Sequence, residues 1–244
     1  MHPRLPASPP PRSQDYPACR TSLGLLVSNE TFYPAAIRAA EQLVRDRGMA
    51  RLVVINRAMD AGIDPKKRHF ASEQRRRRAV LARLRNLAVS VALELEEAVL
   101  WVDADITFMP NHTLSTLVAS GKDIVTTITK GAKTSSQARP VAGVSKFPDD
   151  LEGSPEPFVP LDSVGGCTTL VRADVHREGA LFAPYYLIGA SWKGDGYDGV
   201  ESEGLCYAAR YLGRTCWLAT KLVTYHQSYW VAPTSWYQDR RNAK

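Results

Sequence analysis

The chain has no uninterrupted apolar run of about 18 residues, so nothing in it reads as a membrane span. It shows no long tandem period, which excludes solenoids and propellers. Cysteine is scarce: there are four in 244 residues (Cys19, Cys167, Cys206 and Cys216), none in CxxC spacing, and a zinc knuckle is therefore excluded. Whether they are free thiols or form one or two disulfides stays open at this stage. The opening Met1 to Arg20 is proline-rich and lacks an apolar h-region, so it does not read as a signal peptide. Two sequons, Asn29-Glu30-Thr31 and Asn111-His112-Thr113, carry weight only in a secreted protein.

Acidic residues are nearly missing from one stretch. Between Lys66 and Asn86 there are nine Lys/Arg and a single acid, Glu73. That segment carries +8, which leaves −2 for the remainder of a chain whose net charge is +6. Basicity held in one segment fits a local anion site or a solvated helical face better than a diffuse polyanion-binding surface. No aromatic residue interleaves with Arg75 to Arg78, which counts against nucleic-acid binding.

What remains is an ordinary globular balance, 44% hydrophobic and 23% charged, long enough for one sizeable domain. The expected division is a disordered tail over 1–20, one domain over 21–230 and a C-terminal tail over 231–244. Apolar runs at Leu23–Val27, Leu52–Asn56, Val99–Val102 and Ile124–Ile128 predict buried strands, and the stretch ending at His226 predicts another from Cys216. Helical stripes over 33–47, 73–95 and 201–212 alternate with them. Ser145–Pro160 reads as a surface loop, Ser163–Arg172 as one strand entered through Gly165-Gly166, and Gly189–Gly199 as a glycine-rich loop. The alternation predicts an α/β fold, a single Rossmann-like domain with a mostly parallel central sheet.

Trp101-Val102-Asp103-Ala104-Asp105 carries the chemistry. On an extended strand exit, positions i and i+2 face one side, and strand ends are where open α/β sheets bind ligands. Two carboxylates there suit Mg²⁺ or Mn²⁺, and such an ion would offset the charge that gathers on a departing nucleotide diphosphate. The plain alternative is a solvated acidic loop. Arg83 and Arg85, at the end of the arginine helix that feeds this strand, are candidates for the diphosphate; Asn29, at the first strand's exit, is a donor-binding candidate with them. His226 reads either as a third metal ligand or as a hydrogen-bonded structural histidine. Glu201 and Glu203 read as first-turn helix acids or as groups facing a sugar. Asp162 reads as a turn residue or a sugar-hydroxyl partner, and Gly165 and Gly166 as a place where backbone approaches the donor.

The stretches "RRRRAVLARLRNLA", "VLWVDADITFMP", "DSVGGCTTLVRADVHREGALF", "VESEGLCYAARYLG" and "LVTYH" follow one another over about residues 75–226. In that order they resemble the fungal Golgi mannosyltransferase family that builds the α-1,6-linked mannan backbone. The resemblance implies a GT-A fold, a GDP-mannose donor, Mn²⁺, a mannose-containing glycan acceptor and retaining transfer. It implies that Asp103 and Asp105 bind metal and donor, that His226 completes the metal shell, and that Glu201, Glu203 and Asp162 surround sugar and acceptor. It also implies a Golgi location and assembly with a like or related chain. Family members begin with a cytosolic tail and a membrane anchor, and this sequence shows neither. The alternative is a non-catalytic GT-A-like scaffold or partner subunit.

Overall fold

A computed structural model describes residues 14–59, 62, 71–131, 139–140, 151–185 and 199–226. Its elements run β1 (Ser22–Val27), α1 (Tyr33–Arg47), β2 (Arg51–Asn56), α2 (Ala71–Ala92), β3 (Ala98–Val102), β4 (Ile106–Phe108), α3 (Thr113–Ala119) and β5 (Ile124–Lys130). They continue with β6 (Arg139–Pro140), β7 (Phe158–Ser163), β8 (Thr168–Arg172), α4 (Ala173–Arg177), α5 (Ser202–Tyr211) and β9 (Cys216–His226). Residues 231–244 and most of the glycine-rich stretch 189–199 lie outside the described residues. Of the stretch expected as an N-terminal tail, residues 14–20 are described. Gln14 donates to the Pro110 carbonyl at 2.9 Å and accepts from the Leu114 amide at 2.9 Å, fastening this segment to the start of α3.

β1 and β2 form a small parallel sheet around α1, in register from Ser22 opposite Arg51 to Val27 opposite Asn56. Pro34 sits in the first turn of α1, where a missing N–H costs nothing, and Gly48 closes the helix. Arg51 ties this unit to the end of α2, with Nη1 donating to Glu94 at 2.6 Å and Nη2 to Glu96 at 2.7 Å. Although partial burial opposes it, the Arg51 hydrogen bond helps hold the Glu96 carboxyl down at about 2.

The larger sheet has the order β3-β8-β5-β9-β7-β6, with β4 pairing against β9. The expectation of a mostly parallel sheet is corrected here. Among the described residues of this sheet only β5–β9 is parallel; the β3–β8, β5–β8, β4–β9, β7–β9 and β6–β7 ladders are antiparallel. The cause lies around Gly165-Gly166. Of the stretch read as one strand, Thr168–Arg172 is β8 while Ser163 is the last residue of β7, a strand separated from β8 in space by β9 and β5 and begun inside the stretch read as a loop. Pro160 is tolerated in β7 because β6 pairs only with Leu161 and Ser163, leaving Phe158–Pro160 at an edge where no N–H is needed.

Alternate residues of the central strands enter two cores. Ile124, Val171 and Leu218 face one with Leu205 and Ala209 of α5; Val125, Leu170 and Ala219 face the other with Leu117 of α3. Because both faces are covered, the strands read as continuous apolar runs. The question over the cysteines closes: Cys206 and Cys216 form a buried disulfide joining α5 to the start of β9, while Cys19 and Cys167 are free.

Candidate active site

The ends of β3 and β9 and the start of β8 meet at one place. Val102 pairs with Thr168, and the ladder runs one step further as the Asp103 amide donates to the Cys167 carbonyl at 2.9 Å. The chain then turns, with the Ile106 amide donating to the Asp103 carbonyl at 3.0 Å, and β4 sets Ile106 opposite His226. This brings the Asp105 carboxylate to 2.9 Å from His226 Nε2. A ligand atom of each of Asp103, Cys167 and His226 lies within 4.8 Å of the other two. Asp103 and His226 share that point with Cys167, and Asp105 joins it through its contact with His226; carboxylate and imidazole ligands partly open to water suit Mn²⁺ or Mg²⁺. Burial, together with the Asp103 charge beside it, pushes the Cys167 thiol up to about 12.

Arg85 stands at the centre. Its Nη2 donates to Asp103 Oδ1 at 2.8 Å and to the Gly166 carbonyl at 3.1 Å, while Nη1 is ion-paired with Glu201. The side chain is only 11% exposed and its guanidinium lies 5.3 Å from the Phe182 ring centroid. A Cβ at Gly166 would overlap this guanidinium, so glycine there is what lets the arginine reach Asp103. The neighbouring Asn86 takes both backbone groups of Phe182, donating to its carbonyl at 2.8 Å and accepting from its amide at 2.9 Å. Arg83 points outward as an exposed residue.

Glu201 and Glu203 are buried, and both answer to arginines of α2. Arg78 and Arg85 stand seven residues apart on one helix face; Arg78 Nη1 lies 3.4 Å from Glu203 Oε1. Arg78 is therefore set apart from the exposed Arg75, Arg76 and Arg77, and of the two readings of the basic segment the solvated face does not hold for it. The Glu201 backbone is left-handed at φ 65°, with its amide donating to the Ala183 carbonyl at 2.7 Å. For a glutamate this conformation costs about 1–3 kcal/mol, and such outliers gather at functional sites. Asp162, on β7, accepts from Arg210 of α5 at 3.0 Å.

The structure thus brings Asp103, Asp105, His226, Arg85, Gly166 and Glu201 into one connected group. Asn29 is exposed, and its Oδ1 accepts from the Thr31 amide in its own turn. The Gly165 carbonyl accepts from the buried Thr169 hydroxyl at 2.6 Å. Sequence reasoning passed over Cys167, although it directly follows the glycine pair at a strand start. It also passed over Arg78, whose i, i+7 relation to Arg85 was legible once Arg85 had been singled out.

With this geometry in place, comparison with known proteins is informative. The Anp1 family model matches residues 12–142 and 137–186. The chain is 26% identical over 259 residues to the mannan polymerase complex subunit mnn9 of Schizosaccharomyces pombe, covering 88% of this chain and 74% of that one. It is 27% identical over 204 residues to the mannan polymerase complex subunit MNN9 of Candida albicans, covering 66% of this chain and 52% of that one. In three dimensions it is similar to a crystal structure of GalNAc-T7 with UDP, GalNAc and Mn²⁺, at a TM-score of 0.50 and 14% identity, covering 83% of this chain and 37% of that one. The chain therefore spans about half of the Candida relative and little more than a third of the solved structure. The expected GT-A fold, a mixed α/β single domain around a central sheet, is what this likeness shows. A glycosyltransferase-type fold and a matched family model together give the conclusion that the chain belongs to the Anp1 family.

Proposed function

We propose that this chain is a metal-dependent, retaining glycosyltransferase that moves mannose from GDP-mannose to a mannose-containing glycan. The observation that carries the reading is that His226 meets Asp103 on one side and Asp105 on the other, at strand ends of a GT-A fold. When bound there, Mn²⁺ or Mg²⁺ offsets the charge that develops on the leaving diphosphate. Asp103, Asp105 and His226 hold the ion, and Arg85, which fixes the Asp103 carboxylate, serves the donor diphosphate from the same place. Gly165 and Gly166 leave the donor room at the backbone, and Asn29 contributes from the β1 side.

Glu201, Glu203 and Asp162 serve the sugar and acceptor side. Each is held by an arginine (Arg85, Arg78 and Arg210), which fixes the buried carboxylate in one orientation. The departing phosphate takes the acceptor's proton, so no separate base is assigned. The two relatives named above are subunits of a mannan polymerase complex, and by analogy this chain works in the Golgi with a like or related partner. The Cys206–Cys216 disulfide supports an oxidising lumen.

A transfer assay tests the reading. With GDP-mannose and an α-mannoside acceptor, product is expected with Mn²⁺ and absent with chelator. Tight nucleotide binding without transfer across a panel of mannosides would favour the second reading, a non-catalytic partner subunit, which the relatives' names as complex subunits motivate.

A further inference from the structure

Cys167 occupies a position that the proposed reaction does not use. Three neighbouring strand termini present three different kinds of ligand to one point: Asp103 from the end of β3, Cys167 from just before β8, and His226 from the end of β9. Their ligand atoms all lie within 4.8 Å of one another. The placement is rigid. Asp103 and Cys167 are joined by a backbone hydrogen bond of 2.9 Å that extends the β3–β8 ladder. His226 ends a strand whose Thr224, buried beneath the site, hydrogen-bonds Thr127 at 3.1 Å and Thr129 at 3.0 Å. The other free cysteine, Cys19, is exposed and belongs to the turn before β1.

An oxygen-loving ion needs no sulfur. A carboxylate, an imidazole and a thiol together are the ligand types of Zn²⁺ and its heavier congener Cd²⁺, which bind thiolates far better than Mn²⁺ does. We propose that Asp103, Cys167 and His226 form a site for a thiophilic divalent cation, overlapping the Mn²⁺ site, so that Zn²⁺ or Cd²⁺ displaces Mn²⁺ and shuts the enzyme off. On binding, the Cys167 S–H bond breaks, a metal–sulfur bond forms, and the proton passes to solvent; nothing is oxidised or reduced. This rests on the reading of the cluster as a metal centre, and adds that its preference is softer than Mn²⁺ chemistry requires.

The test uses the intact chain and the metals alone. Cd²⁺ titration followed by its thiolate absorption in the near ultraviolet should saturate at one equivalent. In Cys167→Ala, and in Cys167→Ser as the closer-shaped variant, the absorption band is lost and Cd²⁺ binds at least about tenfold more weakly. Competition should show Cd²⁺ displacing Mn²⁺ from the unmodified chain, read by the paramagnetic signal of released Mn²⁺. Mn²⁺ binding with no thiolate band on addition of Cd²⁺ overturns the inference and leaves the metal-centre reading standing. If neither Mn²⁺ nor Cd²⁺ binds, both fall.

Discussion

The two acidic groups of this molecule are treated in opposite ways. Glu201, Glu203 and Asp162 are buried, and each meets a guanidinium supplied by the protein itself, from α2 or α5. Asp103 and Asp105 stand partly exposed on strand ends, gathered with an imidazole and a thiol. Burial without compensation is the expensive case, so the first group must carry its cations internally. The second group retains access to water and is built to take a cation from outside. Arg85 joins them, holding Asp103 with one nitrogen and Glu201 with the other.

That contrast can be broken from either side. The largest effect is expected for Arg85→Ala, which strands the Glu201 charge and frees the Asp103 carboxylate. The cost is about 3–5 kcal/mol, seen as a fall in melting temperature of roughly 6–20 °C. Adding Glu201→Gln should return part of it, because the stranded charge is then gone; an equal or larger loss in the double variant would contradict the pairing. On the metal side, Asp105→Ala should weaken Mn²⁺-dependent nucleotide binding on the order of 100-fold in calorimetry while leaving the melting temperature of the metal-free chain nearly unchanged. A collapse in stability would place Asp105 with the first group.

Smaller effects sharpen the picture. Gly204, in the first turn of α5, has no room for a Cβ, which would come 2.9 Å from Ala183 Cβ and overlap the Gly199 carbonyl. Gly204→Ala should therefore cost about 1–3 kcal/mol in urea unfolding and disturb the segment that holds Glu201. The last is an effect at Glu96, which belongs to neither group. Its carboxyl, held at about 2 against an ordinary 4.5, contributes stability that is complete above pH 4.5 and lost as pH falls toward 2. Glu96→Gln should flatten the acid limb of the stability profile in that window; an unchanged limb would rule the Arg51 pairing out as its source.

Much of this was legible in the residues. Asp103 and Asp105 follow an apolar strand, and His226 ends another, so strand-exit chemistry could be read without coordinates. Strand direction could not. β5, β8 and β9 are covered on both faces and lack the alternation that would mark an antiparallel pair, and β7 hides behind Pro160 and the polar stretch before it. The long helix was found, and its apolar stripe marks the buried side only in part: Leu84 is buried, while Val91 is half-exposed and Leu95, beyond the helix end, is 94% exposed. Its functional inner face is written in arginines, Arg78 and Arg85, whose burial depends on glutamates more than a hundred residues away. Cys167 escaped notice because a lone cysteine gains meaning only from the strands that bring Asp103 and His226 beside it.

The central claim is that the Asp103–Asp105–His226 corner takes a divalent ion and, through it, a nucleotide diphosphate. Calorimetry of GDP with the intact chain, in Mn²⁺ and in chelator, tests it most directly. Saturable binding at one site in Mn²⁺ and none in chelator is the expected result; GDP binding that is indifferent to Mn²⁺, or absent in both, contradicts it.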